Sequence, residues 1–259
     1  MPPRAPRRVS VVSTEPVTPH MVRVVFGGPA FDGFAPGEFT DHYVKLKLPD
    51  PQDPETVRTR TYSVRAWDPE AQQLTIDFVV HGDVGVAGPW ARRAQPGDEL
   101  DLVGPGGAYT PDPDADWHLL AGDASVIPAI SASLPRIPDG TPVHVIIEVD
   151  GPEEEQPLDT PGDLTLTYLH RSAGPGEEPE LLADAVAALD LPDGRGHVFV
   201  HGEASSVRNL RRHLIADRGL DPATMSISGY WKLKRTEEGW RDDKAEWARL
   251  VEADLAAAR

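Results

Sequence analysis

Arg60-Thr61-Tyr62-Ser63-Val64-Arg65 places a cation, an aromatic ring and a small hydroxyl within one short run. That set suits a flavin: a guanidinium for phosphate, a phenol face against the ring or ribityl chain, and a hydroxyl near the reactive ring nitrogen. A second segment answers it. Asp77-Phe78-Val79-Val80-His81-Gly82-Asp83-Val84-Gly85-Val86-Ala87-Gly88-Pro89-Trp90 reads as a strand that ends in small residues and opens a short helix. Main-chain amides at such a turn approach a pyrophosphate closely. Singly, the first segment reads as well as an exposed strand with a routine tyrosine, and the second as an ordinary Gly-Pro loop. In order on one chain they point to one cofactor. Pleating sends neighbours Tyr62 and Ser63 to opposite faces, so a flavin touching both lies across a strand edge.

Later in the chain, Gly122-Asp123-Ala124-Ser125 closes an apolar strand, the position a dinucleotide takes in a doubly wound sheet. Gly202-Glu203 repeats the turn after another strand, where Glu203 serves equally as a helix first-turn acid favoured by the dipole. The G-x-G-x-x-G fingerprint is absent, since Gly104-Pro105-Gly106-Gly107 has the wrong spacing. Asp150 suits a ribose hydroxyl and repels a 2′-phosphate, whereas Arg171 attracts that phosphate, so NADH and NADPH both stay open. The chain has five lysines against twenty arginines, and four of the five are Lys45, Lys47, Lys232 and Lys234. The first two alternate with Val44, Leu46 and Leu48 beside the expected flavin edge; the others follow Tyr230-Trp231. In the expected fold both pairs border the cleft between domains, where mobile point charges suit a bulky anionic ligand. Two solvated strand faces are the plainer reading. His197 and His201 sit on a strand without an acid to complete a metal site, so they are expected to be structural and no metal is expected. No G-x-S-x-G hydrolase elbow is present, and Glu153-Glu154-Glu155 reads as a solvated loop.

The totals narrow the chemistry. At 259 residues the chain has room for one large domain or two ordinary ones, and 39% hydrophobic residues suffice for a core. No apolar run reaches the roughly eighteen residues of a membrane span. The basic start up to Arg8 is followed by no signal-like apolar stretch, so a cytoplasmic protein with a frayed terminus is expected. With no cysteine, disulfides, thiolate metal sites, cysteine-held iron–sulfur clusters and a cysteine nucleophile are excluded. Redox chemistry must then run on a bound organic cofactor. A net charge of −17 speaks against nucleic acid and anionic membranes as partners. A monomer is expected.

The elements that would position these residues fall into two halves. Val9–Val12, Met21–Phe26, Asp41–Leu48, Arg60–Ala66, Leu74–Val80 and Pro96–Gly104 read as six short strands with turns between them, a small antiparallel barrel. Pro49 to Pro54 reads as a surface loop. In the strand from Leu74, Leu74, Ile76, Phe78 and Val80 are assigned to the core and Asp77, Val79 and His81 to the other face. Residues 105–116, rich in Pro, Gly and Asp, mark the boundary between domains at 1–110 and 117–259. Beyond it, strands at 117–122, 143–149, 164–170, 197–202 and 224–231 alternate with helices at 125–134, 179–189 and 204–217. This is the pattern of a doubly wound parallel sheet. Trp240, Trp247, Val251 and Leu255 fall at helical spacing, giving a C-terminal helix docked on the body.

In wording and order, the blocks Asp41-His42-Tyr43-Val44-Lys45-Leu46, Arg60 to Arg65, Asp77 to Asp83, Pro96-Gly97-Asp98, Gly122 to Ala129, His201 to Ala204 and Gly229-Tyr230-Trp231-Lys232 resemble the siderophore-interacting proteins. These are flavin-dependent ferric-siderophore reductases of the ferredoxin-reductase superfamily. The resemblance implies a FAD-binding barrel followed by an NAD(P)H-binding α/β domain. It implies that Arg60 meets the flavin phosphate region, Tyr62 packs on the flavin and Ser63 bonds the ring, with Thr61, Arg65, Asp77, Phe78, Val79, His81, Gly85, Val86, Ala87 and Trp90 completing the FAD site. Gly122, Asp123, Ser125, Gly202, Glu203 and Trp231 are expected at the cofactors, and Lys45, Lys47, Lys232 and Lys234 at a ferric siderophore. No catalytic acid or base is expected, because the flavin mediates the reaction. The family usually carries an acid where this chain has Ala124, which bears on the nucleotide contacts. A general flavin or ferredoxin-type reductase, and a non-enzymatic siderophore-binding protein, are the alternatives.

Overall fold

The computed structural model describes residues 5–53, 55–173 and 181–257. The loop end at Pro54, the start of the expected helix at Pro179 and Glu180, the first four residues and the side chain of Leu255 lie outside the described residues. Two compact units form: Met1–Thr110 with Pro128–Ser133, and Pro111–Ile127 with Leu134–Arg259.

The first unit is an antiparallel sheet of seven strands: β1 Arg7–Thr18, β2 Met21–Gly27, β3 Tyr43–Pro49, β4 Val57–Ser63, β5 Ala66–Asp68, β6 Gln73–Val79 and β7 Glu99–Gly106. Their order is β4-β3-β7-β1-β2-β6-β5. One more strand forms than the sequence suggests, because the run from Arg60 to Ala66 divides. Val64 N–H donates to the His42 carbonyl at 2.7 Å, and Arg65 N–H donates to Thr75 on β6 at 2.9 Å. The chain thereby leaves one edge of the sheet as β4 and joins the opposite edge as β5. A sheet whose two edges are consecutive in sequence must curl, and it takes a barrel-like form. Alternating residues Val44, Leu46 and Leu48, Leu74, Ile76 and Phe78, and Leu100 and Leu102 are all nearly or fully buried inside it. β1 also runs further than expected, to Thr18, closing a two-residue turn at Pro19-His20 onto Met21. α1, Ala87–Arg93, follows β6.

The second unit holds five parallel strands, β8 Trp117–Asp123, β9 Pro142–Val149, β10 Asp163–His170, β11 Gly196–Glu203 and β12 Met225–Trp231, in the order β10-β9-β8-β11-β12. Every residue of β8 is buried, as expected of a strand covered on both faces. The order reverses direction between β8 and β11, so their carboxyl ends frame the ligand crevice of such sheets. α2 Ile127–Ser133, α3 Leu181–Ala187 and α4 Ala204–Arg212 follow β8, β10 and β11. The last of these continues as a π-helical turn over His213–Asp217 instead of an unbroken α-helix. Between β9 and β10 only one 3₁₀ turn forms, Pro152–Glu154, because Pro152, Pro157 and Pro161 withhold the donors a helix needs.

α5, Glu237–Ala257, lies against α4 and, through Trp240, against Gly229 of β12. Trp240 is buried beside Gly229, where a Cβ would crowd the indole ring. Trp247 Nε1 donates to the Ala204 carbonyl at 2.9 Å, and Arg208 grips Asp254 through Nε and Nη2 at 2.6 and 2.9 Å.

His118 and His201 are buried in the second unit, and burial pushes their pKa values down to about 4 and about 3. Both are neutral in the fold, while an unfolded histidine binds its proton near 6.5. The unfolded chain therefore gains protons first as pH falls; stability is full above pH 6.5 and declines below it. At pH 5.5 each histidine should cost about 1.4 kcal/mol relative to pH 7.5. Urea unfolding of the second unit at the two pH values checks this, and His201→Phe should remove its share of the difference.

Candidate functional site

β4 is an edge strand, and its pairing with β3 fixes which side chains share a face. Opposite residues are Tyr43 and Ser63, Lys45 and Thr61, and Lys47 and Thr59; between them Val44 meets Tyr62 and Leu46 meets Arg60. Tyr62 and Arg60 therefore lie on the side of the buried Val44 and Leu46, whereas Ser63 and Thr61 share the outer side with Lys45 and Lys47. Lys47 Nζ donates to Thr59 Oγ1 at 2.7 Å, and Lys45 is exposed. Arg60 Nη1 donates to its neighbour's carbonyl, Thr59 O, at 3.0 Å.

The Tyr62 ring is held by aromatic packing. Its centroid lies 4.4 Å from that of Phe78, which sits 5.8 Å from Trp90, which stacks at 6.1 Å on Phe26. Phe78, expected at the cofactor, is fully buried in this ladder, so only its main chain can face a ligand. Asp77 is likewise closed in. The alternation of β6 assigns it to an open face with His81; instead Arg23 crosses from β2 directly opposite and covers it. Arg23 Nε and Nη2 donate to the carboxylate at 2.7 and 2.9 Å, and Arg65 Nη1 reaches it at 3.4 Å. The Asp77 side chain has no exposure, and its carboxylate is turned to Arg23 and Arg65. Arg23 went unassigned in the sequence; its one signal is a lone cation in an otherwise apolar strand. Val79 is half-buried and His81 exposed.

After β6, Gly82 and Gly85 take positive φ values of 55° and 86° with open space where a Cβ would stand. Val86 precedes α1 and supplies no side-chain cap, and Ala87 is buried. With Trp90 behind them, the first-turn amides carry no side-chain acceptor, which fits the pyrophosphate of FAD.

In the second unit one carboxylate gathers the predicted residues. Asp123, at the end of β8, accepts from Ser125 N–H at 2.9 Å and Ser125 Oγ at 2.6 Å through Oδ1. Its Oδ2 accepts from Glu203 N–H and from Trp231 Nε1, both at 2.9 Å. The end of β8 is thus tied to β11 and β12 across the switch point. Two glycines make this possible: a Cβ on Gly122 would collide with the His201 carbonyl, and one on Gly202, at φ 128°, with the Asp123 carboxylate itself. Asp123 and Glu203, offered to a nucleotide by the sequence, direct their oxygens inward. Glu203 Oε2 caps α4 through Ser205 and Ser206 N–H at 2.6 and 2.9 Å, and Oε1 accepts from Leu233 N–H at 3.1 Å. The main chain at Gly122 and Gly202 and the half-exposed Trp231 ring remain for a ligand. Lys232 and Lys234 lie in the turn after β12, with Lys234 at φ 62°.

Asp150 and Arg171, which the sequence sets against each other, bind one another. Arg171 Nε and Nη2 both donate to Asp150 Oδ1, at 2.9 and 2.7 Å, and Nη1 donates to Glu148 Oε1 at 3.0 Å. Burial pushes the Glu148 carboxyl up, against the pull of Arg171. Glu148 has no distinguishing mark in the sequence beyond a charge inside a β-branched strand.

A barrel-like antiparallel unit with an arginine- and tyrosine-bearing edge strand and a parallel sheet of nucleotide-binding order together have a ferredoxin-reductase-like fold. Residues 10–59 and 53–109 match the siderophore-interacting FAD-binding domain, and residues 115–234 match the family described as siderophore-interacting protein. The chain belongs to the siderophore-interacting protein family. It is 32% identical to the ferric vibriobactin reductase ViuB of Vibrio cholerae over 92% of this chain and 94% of that protein. An NADPH-dependent ferric-chelate reductase of Escherichia coli is 28% identical over 88% and 93% of the two chains. The crystal structure of a siderophore utilization protein from T. fusca superposes with a TM-score of 0.80 at 34% identity, covering 91% of this chain and 96% of that one.

Replacing the buried Asp77 by Asn leaves two arginines without their shared charge. Asp77→Asn should lower the unfolding free energy of the first unit by about 3 kcal/mol, read from urea denaturation. An unchanged midpoint would show that the arginines find other acceptors.

Proposed function

We propose that this protein is a FAD-dependent reductase that takes hydride from NADH or NADPH and passes electrons singly to Fe(III) held by a siderophore, releasing Fe(II). The observation that carries the reading is the edge position of β4, which presents Arg60 and Tyr62 on one side and Ser63, Thr61 and Lys45 on the other. FAD supplies the conversion of a two-electron hydride into single electrons, which Fe(III) requires. One NAD(P)H and two Fe(III) give NAD(P)⁺, one proton and two Fe(II).

The chain's residues bind and orient. Arg60 would meet the flavin phosphates, Tyr62 would pack on the flavin and Ser63 would hydrogen-bond its ring. The first turn of α1, which Val86 leaves without a side-chain cap, would offer backbone N–H groups to the pyrophosphate. Asp77 holds Arg65 in place. Gly122 and Gly202 admit the nucleotide close to the main chain, and Asp123 fixes the Trp231 ring through its indole N–H. Lys45, Lys47, Lys232 and Lys234 attract the anionic ferric siderophore. The family membership and the two reductase relatives support this assignment. No helix among the described residues is long and apolar enough to cross a membrane.

The test is anaerobic reduction of the FAD-loaded protein by NADH and NADPH, followed by reoxidation with several ferric siderophores. Ferric siderophores should reoxidise the flavin faster than simple ferric salts. Lys45→Ala and Lys232→Ala should each raise the KM for the ferric siderophore about threefold to tenfold, the loss expected for one partly solvated charge. Equal rates with free ferric salts, unmoved by either substitution, would assign a general flavin reductase instead. A purified protein that neither carries nor acquires FAD would overturn the proposal.

A further inference from the structure

Glu148, Asp150 and Arg171 meet at the ends of β9 and β10. Asp150 is the first residue after β9, and Arg171 the first after β10. In a doubly wound sheet, an acid beyond the second strand takes the adenosine ribose 2′-hydroxyl, and a nearby arginine accommodates a 2′-phosphate. β9 is the second strand of this unit and pairs with β8, so Asp150 stands where the ribose acid belongs. An isolated arginine at 171 would favour NADPH. This arginine is not isolated: Nε and Nη2 are taken by Asp150 and Nη1 by Glu148.

We propose that Glu148 and Asp150, by neutralising Arg171, make the protein select NADH over NADPH; this rests on the reading of the second unit as a pyridine-nucleotide site. The trio carries a net charge of −1 with all three groups ionised. A 2′-phosphate arriving there meets two carboxylates and a guanidinium with three of its five N–H groups already engaged by them. A 2′-hydroxyl needs only an acceptor, and the Asp150 side chain is 39% exposed while held from behind by Arg171. Glu148 is the more buried of the two acids, its side chain 12% exposed, so it acts on Arg171 and stays away from the ribose. Arg171 is thereby a positioning residue for Asp150, not a phosphate receptor.

The experiment uses the full FAD-loaded chain. Calorimetric titration with ADP-ribose and with 2′-phospho-ADP-ribose reads binding without turnover, and anaerobic flavin reduction by NADH and NADPH reads the same preference in kcat/KM. ADP-ribose should bind at least about tenfold more tightly than its 2′-phosphate, one unpaired charge contact's worth of discrimination. Glu148→Gln removes one negative charge beside Arg171 without touching the ribose acceptor, and should tighten 2′-phospho-ADP-ribose by about threefold or more while ADP-ribose affinity stays within about twofold. Asp150→Asn should abolish or reverse the preference; if that variant does not fold, Glu148→Gln carries the test alone. Wild-type protein that binds the 2′-phosphate as tightly as ADP-ribose, or a Glu148→Gln variant with an unchanged ratio, would overturn the specificity role and leave the nucleotide site standing. Failure of both ligands to bind would overturn the nucleotide site and this inference together.

Discussion

The backbone hydrogen bonds of two adjacent residues decide what the first unit can do. Val64 stays with the approach to β3 while Arg65 crosses to β6, so a single run of sequence serves both edges of the sheet. Buried main-chain groups must be paired, and a rolled sheet can pair them only if the chain changes partners somewhere along this run. The change comes directly after Ser63. It leaves β4 as an edge, with Tyr62 lodged against Phe78 and Ser63 turned outward, and it swings Arg65 over Asp77. Had the strand continued unbroken to Ala66, Arg65 would have had no route to that carboxylate.

The second unit rests on an equally local device. The Asp123 carboxylate accepts four donors from three segments far apart in sequence, so the ends of β8, β11 and β12 are held by one side chain. A carboxylate so enclosed is stable only when its lone pairs are satisfied, and here they are. Gly122 and Gly202 are required for the approach, one against a carbonyl and the other against the carboxylate. At the ends of these strands the Asp123 and Glu203 carboxylates are therefore directed inward.

Much of this was legible in the amino-acid order. Period-two alternation at Val44, Leu46 and Leu48 and the β-branched run Val143–Val149 named their strands, because each side-chain pattern has one face or two to bury. The Arg60, Tyr62, Ser63 spacing already required a strand edge. What stayed hidden were partnerships across strands. Arg23 and Asp77 are fifty-four positions apart and meet only because β2 and β6 pair in one register. Alternation can say that Asp77 leaves the core face; it cannot say that an arginine waits there.

The sequence by itself determined the family, the two-part fold and the residue types available to a flavin, since these follow from local pattern and from motif order. Only the tertiary structure decided which of those residues can face a ligand. Asp77, Asp123 and Glu203 are acids with equal claims on paper, and each is consumed by donors from another strand or helix. Asp150 and Arg171 read as opposed signals until the pairing of β9 with β10 brought them within hydrogen-bonding reach. The reason is physical: a charged side chain takes the nearest partner that satisfies it, and nearness between distant residues is set by strand register, which no local pattern records.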